Sequence, residues 1–246
     1  MKIRFLGTGE SATLRGCTSF VIDDHVLFDV GHGVVRSLLD RGLDVGDIDT
    51  LIISHFHIDH VGDLAFFLYR RYARGEMDKP FKIIGPKGVR AYIDKLGELV
   101  EFDDASKKPG EGVEFFALES VEIFELEHNG VYKDEKIEVK AFNVDHIGAD
   151  SGKGFLITLD GEILGCSGDT RVCSSLEESL PFAPIWIVDC KTTTTHRRHM
   201  GLDDISKFSK KYPKAKFYTV HRADWDIPEK TLPNIFFPND GDVVYA

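Results

Sequence analysis

The chain has 246 residues, 42% hydrophobic and 29% charged, an ordinary globular mixture that can bury a core without disulfides or obligatory assembly. Its formal net charge of -11 repels polyanions, so long structured nucleic acid is not expected as a partner. The four cysteines, Cys17, Cys166, Cys173 and Cys190, form no C-x-x-C pair, which argues against a zinc ribbon and for reduced thiols in a cytoplasmic protein.

The opening MKIRFLGTGE runs straight into a strand pattern, so no signal peptide is expected, and no apolar run reaches the roughly 20 residues of a membrane helix. IRFLG (3–7), TSFVI (18–22) and HVLFDV (25–30) read as strands, and VVRSLLDRG (34–42) as a helix. DTLIIS (49–54) is a buried strand, followed by a helix from about Gly62 to Arg74. FKIIG (81–85) is a strand and VRAYIDKLGELV (89–100) an amphipathic helix. The polar segment 103–112 reads as a loop. From Gly112 to Thr158 strands dominate: VEFFAL, VEIFEL, KIEVKAFNV and GFLITL. EILGCS and IWIVDC (185–190) follow, then a helix from about Asp203 to Lys211, and KFYTV (216–220) closes on His221. Mixed strands bracketed by helices predict an α/β fold of two facing sheets with helices outside, in four layers. No linker divides it, so residues 1–246 are expected to form one domain.

SHFHIDHVGD (54–63) sets three histidines and two aspartates within ten residues. Alternate residues of an extended segment point the same way, so His55 and His57 can share one metal ion. As the chain turns into a helix, Asp59 and His60 swing toward a second. Burying so many ionisable groups together without a cation would be costly. Four residues cannot saturate two metals, and candidates for the remainder stand just past later apolar runs: His146, Asp169 and His221.

This H-x-H-x-D-H pattern, with Asp29 in LFDVGHG before it and His146, Asp169 and His221 after it, resembles the metallo-β-lactamase superfamily of dinuclear metal hydrolases. The resemblance spans residues 29 to 221 and implies a four-layer αββα sandwich. It also implies His55, His57 and His146 on one metal, Asp59, His60 and His221 on the other, Asp169 bridging, and Asp29 behind the ligands, orienting them. Two divalent ions are expected, with Zn2+ preferred by the nitrogen-rich set and Mn2+ or Fe2+ compatible with its oxygens. Such a pair can hold a hydroxide and polarise an ester oxygen, which makes hydrolysis the default reaction.

The opening FLGTGESATLRGCTSF resembles the phosphodiesterase branch, which includes ribonuclease Z and the cyclic-phosphate phosphodiesterases. In HRRHMGLDD (196–204), His199 resembles that branch's general acid, which protonates a leaving alkoxide. Asp59 and His199 are therefore the residues assigned to catalysis. Several features depart from ribonuclease Z: no arm is inserted between His146 and Asp169, Ile58 replaces a glycine, and no glutamate lies between Asp189 and His199. The expected substrate is thus a small or cyclic phosphodiester. A thioester or lactone is the runner-up, tRNA 3'-end cleavage a further alternative, and a noncatalytic metal-binding scaffold the reading from another class. A membrane partner is not expected, and a homo-oligomer is compatible with the chain. His25, His32 and His128 are read as turn or surface residues, and Thr192 to Thr195 as a β-prone run beside a loop.

Overall fold

The strands alternate so that each sheet has two buried faces. Phe20 and Ile22, Val26 and Phe28, and Ile52 point into one apolar cluster, while Val21, Leu27, Leu51 and Ile53 between and beside them point into another. The computed structural model describes residues 1–99, 121–149 and 151–245; the expected loop 103–112 and the strand VEFFAL lie outside them.

The first sheet contains β1 (Lys2–Gly7), β2 (Ser19–Ile22), β3 (Val26–Phe28), β4 (Thr50–Ile52), β5 (Phe81–Pro86) and β6 (Val121–Leu126), hydrogen-bonded in that order. The β1–β3 pairings are antiparallel and those from β3 to β6 parallel. The second sheet contains β7 (Val131–Lys133), β8 (Ile137–Asn143), β9 (Lys153–Leu159), β10 (Glu162–Cys166), β11 (Ile185–Asp189), β12 (Lys216–Val220) and β13 (Ile235–Phe236). It too is antiparallel as far as β10 and parallel beyond. The last strand, β14 (Val243–Tyr245), returns to the first sheet and pairs antiparallel with β1.

Between the sheets, Ile3, Phe5, Phe20 and Phe28 meet Val139, Phe155, Ile157 and Ile187. Outside the first sheet pack α1 (Val34–Asp40), α3 (Leu64–Ala73) and α4 (Val89–Leu99). Outside the second pack α5 (Ser174–Ser179) and α6 (Leu202–Lys211), against Trp186, Val188 and Phe217. This is the expected four-layer αββα arrangement.

Two boundaries differ instructively. Helix α1 stops at Asp40, because Gly42 adopts a left-handed φ of 76° that breaks the helical path. The helix expected from Gly62 is two pieces, a short turn α2 (Ile58–Val61) and then α3. Sequence reading missed β7, α5, β13 and β14, which are two to six residues long and carry too few positions for either periodicity to show.

Arg71 on α3 is 1% exposed and ties the helix to the preceding loop. Its Nη1 donates to the carbonyls of Val45 (2.7 Å) and Ile48 (2.9 Å), and its guanidinium lies 4.4 Å from the centre of the Phe81 ring. Arg71→Met keeps the apolar stem but strands the Ile48 carbonyl and leaves that of Val45 with only the Ile48 N–H. The expected loss is about 2–4 kcal/mol of unfolding free energy, measured by urea titration, because a buried acceptor is left without a donor and charge-assisted bonds disappear. An unchanged urea midpoint would contradict this role.

Among the described residues no helix is long and apolar enough to cross a membrane.

Candidate active site

The functional side chains gather at the carboxyl ends of strands from both sheets. Asp29 follows β3, His55 and His57 follow β4, Asp169 follows β10, Asp189 ends β11 and His221 follows β12. His57 caps the amino end of α2, so Asp59 and His60 fall within that turn. Gly31 permits the close approach: a Cβ there would lie 1.9 Å from the Asp59 carbonyl oxygen.

All seven sequence-predicted ligands converge. Around one position, His57 Nδ1 is 3.0 Å from His55 Nε2 and 3.1 Å from His146 Nε2. Around a second, Asp59 Oδ2 is 3.3 Å from His221 Nε2 and 3.8 Å from His60 Nε2. Asp169 lies between them: its Oδ2 is 3.2 Å from His221 Nε2, 3.4 Å from His60 Nε2, 3.8 Å from His146 Nε2 and 4.0 Å from His55 Nε2. The donor atoms of each group, His55/His57/His146, His55/His60/Asp169 and Asp59/His60/His221, lie within 4.8 Å of one another. His60 Nε2 is buried with no hydrogen-bond partner, as expected of a nitrogen whose lone pair is kept for a cation. The nitrogen-and-carboxylate donor set therefore fits divalent transition metals.

Behind these groups lies a set of orienting contacts. Asp29 is fully buried; it accepts the Ser54 N–H (2.7 Å) and Ser54 Oγ–H (2.7 Å) and holds His60 Nδ1 at 2.7 Å. Fixing Nδ1 in this way commits Nε2 to the centre. His146 Nδ1 is 3.2 Å from the Arg198 carbonyl oxygen, a contact invisible in the sequence because any residue supplies a carbonyl. Asp29 and His221 both adopt left-handed backbone, with φ of 54° and 56°, a strain that non-glycine residues accept where a site requires it.

His199 is 4% exposed, and its Nδ1 lies 2.8 Å from Asp189 Oδ2 and 3.9 Å from Asp169 Oδ2. Asp189, 1% exposed, also accepts the Thr170 N–H (2.9 Å), and its Oδ1 is 3.7 Å from His221 Nδ1. One buried carboxylate thus stands behind both His199 and His221. Sequence reading noted that no glutamate lies between Asp189 and His199 and named no acidic partner for the histidine; in the structure that partner is Asp189. Its only sequence signal was an acidic residue ending a wholly apolar strand.

Burial and charge divide the ionisable groups. Burial holds His55 well below the usual imidazole range, His146 at about 4, and His199 below its ordinary value. Burial also opposes charge on His60 and Asp169, but their mutual attraction wins: Asp169 and Asp29 hold His60 well above the usual range, so that a proton on Nε2 takes the place a metal cation would, and His221 and His60 hold Asp169 well below the carboxylate range. Burial and the neighbouring Asp169 push Asp189 well up. The ligand histidines His55 and His146 are thus neutral at pH 7, as metal binding requires.

His25, His32 and His128 stand apart. His25 pairs with Asp49 at 3.2 Å, the His32 side chain is 90% exposed, and His128 Nδ1 accepts the Asn143 N–H.

The same architecture recurs in solved structures. The metallo-β-lactamase fold protein YhfI from Bacillus subtilis superposes with a TM-score of 0.76 at 15% identity, over 99% of this chain and 98% of that one. A diphosphatase from the PhnP family gives 0.75 at 16% identity, over 100% and 97%. The short form of human tRNase Z gives 0.72 at 22% identity, over 100% and 99%. With buried histidines and aspartates converging where its two sheets end, the molecule has the metallo-β-lactamase fold with a candidate site for divalent metal ions. In sequence, ribonuclease Z of Staphylococcus haemolyticus is 26% identical over 226 residues, 75% of this chain and 73% of that protein. Ribonuclease Z of Staphylococcus saprophyticus is 40% identical over 75 residues, 30% of this chain and 24% of that protein. Residues 1–231 match the family described as anti-Pycsar protein Apyc1, and the chain belongs to that family.

Proposed function

We propose that the protein hydrolyses a small or cyclic phosphodiester using two divalent metal ions, with zinc the preferred metal. His55, His57 and His146 would hold one ion and Asp59, His60 and His221 the other, with Asp169, which faces both groups, available to each. When bound, the ions acidify a water and neutralise charge gathering on the phosphoryl oxygens. The protein's own groups do the rest. Asp29 and the Arg198 carbonyl keep His60 and His146 in the tautomers that present Nε2. Asp59, beside His221 Nε2, is placed to orient the nucleophile. His199 protonates the departing oxygen, and Asp189, bonded to Nδ1, leaves Nε2 to carry that proton.

The observation that carries this reading is the buried Asp189–His199 pair, 2.8 Å apart and 3.9 Å from the central Asp169. Asp169, Asp189, His199 and His221 also offer four donor atoms within 4.8 Å, but the short bond to Asp189 engages His199 as a hydrogen-bonded acid. A leaving alkoxide needs such an acid; a leaving thiolate does not. The ribonuclease Z relatives suggest tRNA cleavage instead. Against it stand the net charge of -11 and the segment between His146 and Asp169, where the elements are β9 and β10. Four free cysteines support a cytosolic setting.

The test is hydrolysis of bis(p-nitrophenyl) phosphate by the zinc- or manganese-loaded protein, beside a thioester. Diester turnover that disappears on chelation and returns with metal is expected. Turnover of the thioester alone would sink the phosphodiesterase reading while leaving the fold and the cluster intact.

A further inference from the structure

Two residues beyond Asp189, Lys191 lies between the segment carrying His199 and the one that follows His221. Its backbone is pinned from both sides: its N–H donates to the Met200 carbonyl (3.1 Å), and its own carbonyl accepts the Ala223 N–H (3.0 Å) and Trp225 Nε1–H (2.9 Å). The side chain turns toward the loop after β1, where Nζ lies 3.3 Å from Glu10 Oε2. Glu10 is itself fixed, its N–H donating to the Arg222 carbonyl at 3.3 Å. The two side chains are 25% and 11% exposed, neither in the core nor in open solvent, and both residues are tied by backbone bonds to Met200, Arg222 and Ala223, the immediate neighbours of His199 and His221.

An ammonium carries three N–H donors, and Glu10 is the one hydrogen-bond partner of the Lys191 ammonium among the described residues. At least one donor is therefore open toward whatever enters. Its charge bears on Asp189, His196 and His199, so the ammonium lies within electrostatic reach of the proposed acid. The other cations of that segment, Arg197 and Arg198, are exposed and screened by solvent. The centre beneath is rich in carboxylates, with Asp59, Asp169 and Asp189 close together, and the whole chain is acidic. Lys191 is thus a partly buried cation of that segment held in place where an incoming anion can meet it.

We propose that Lys191, held in place by Glu10, is a substrate-binding residue that donates a hydrogen bond to a non-bridging oxygen of the phosphodiester and so selects anionic esters over neutral ones. This rests on the phosphodiesterase reading above. Glu10 keeps the ammonium in one rotamer while the site is empty, and the third donor position lets both oxygens be served together. Charge-assisted bonds of this kind are stronger than neutral ones, and a neutral thioester or lactone has no counterpart for it.

The test compares Lys191→Met and Lys191→Arg with wild type, all zinc-loaded, by calorimetric titration with inorganic phosphate and by kinetics on bis(p-nitrophenyl) phosphate. In Lys191→Met the phosphate Kd and the diester KM are expected to rise about tenfold with kcat within about threefold, and Lys191→Arg to recover most of the loss. Thermal midpoints are expected to stay together. Unchanged phosphate affinity in Lys191→Met would overturn the proposal. So would a loss accompanied by a lower thermal midpoint that Glu10→Gln reproduces in full, since the pair would then be only a strap between two loops. Phosphate binding needs no turnover, so a wild type inert toward diesters would defeat the hydrolytic reading without deciding this one.

Discussion

Alanine at Asp169 is expected to abolish turnover and to release bound metal. Its carboxylate lies within 4.0 Å of the Nε2 atoms of His55, His60, His146 and His221, so one oxygen reaches both halves of the cluster. Without it the two proposed positions lose their shared ligand, and the four histidines around it lose the carboxylate that all of them face. Metal content measured by elemental analysis should fall from about two equivalents to one or fewer. The rate on bis(p-nitrophenyl) phosphate should fall by on the order of a thousandfold or more, since several kcal/mol of charge stabilisation disappear. The fold should survive, because Asp169 contributes nothing to the apolar clusters; circular dichroism checks this. Full metal content with full activity in Asp169→Ala would refute the bridging role.

The second large effect concerns His199 and depends on the leaving group. A p-nitrophenolate departs readily without a proton, whereas a dialkyl diester such as ethylene phosphate must expel a basic alkoxide. His199→Ala should therefore cost about 100- to 10,000-fold on ethylene phosphate, followed by phosphorus NMR, and far less on bis(p-nitrophenyl) phosphate. Asp189→Asn should show the same selectivity in milder form, because the amide still reaches Nδ1 but no longer stabilises the imidazolium. Equal losses on both substrates would mean that the pair supports the metal ligands, through the 3.7 Å contact of Asp189 with His221, and is not the proton donor.

Taken together, these two results separate two enzymatic readings from each other and from a noncatalytic one. A thioesterase would be sensitive to Asp169 and indifferent to His199. A diester hydrolase would need both, and the dependence on leaving group distinguishes a positioned acid from a structural histidine. A noncatalytic scaffold would bind metal through Asp169 and turn over none of these substrates.

Most of the candidate site was legible because its ligands are chemically unusual and locally dense. His55, His57, Asp59 and His60 fall within six consecutive positions, and His146, Asp169 and His221 each follow an apolar strand. Strands buried on both faces show as apolar runs, so the layers were also legible, down to KFYTV and VEIFEL, whose observed strands, β12 and β6, have the expected ends. Short elements such as β13 and α5 carry no readable period.

What the sequence by itself determined, then, is the kind of chemistry: a run of alternating ligand residues dictates metal binding, and hydrophobic alternation dictates the sheets that present it. What only the tertiary structure decided is which groups stand behind that chemistry. Asp189 meets His199 across a ten-residue loop, the Arg198 carbonyl meets His146 from 52 residues away, and Lys191 meets Glu10 from 181 residues away. Such partners are ordinary residues or backbone atoms. Nothing in their type or spacing marks them, because their role arises only when the ends of β8, β10, β11 and β12 are brought to one edge of the paired sheets.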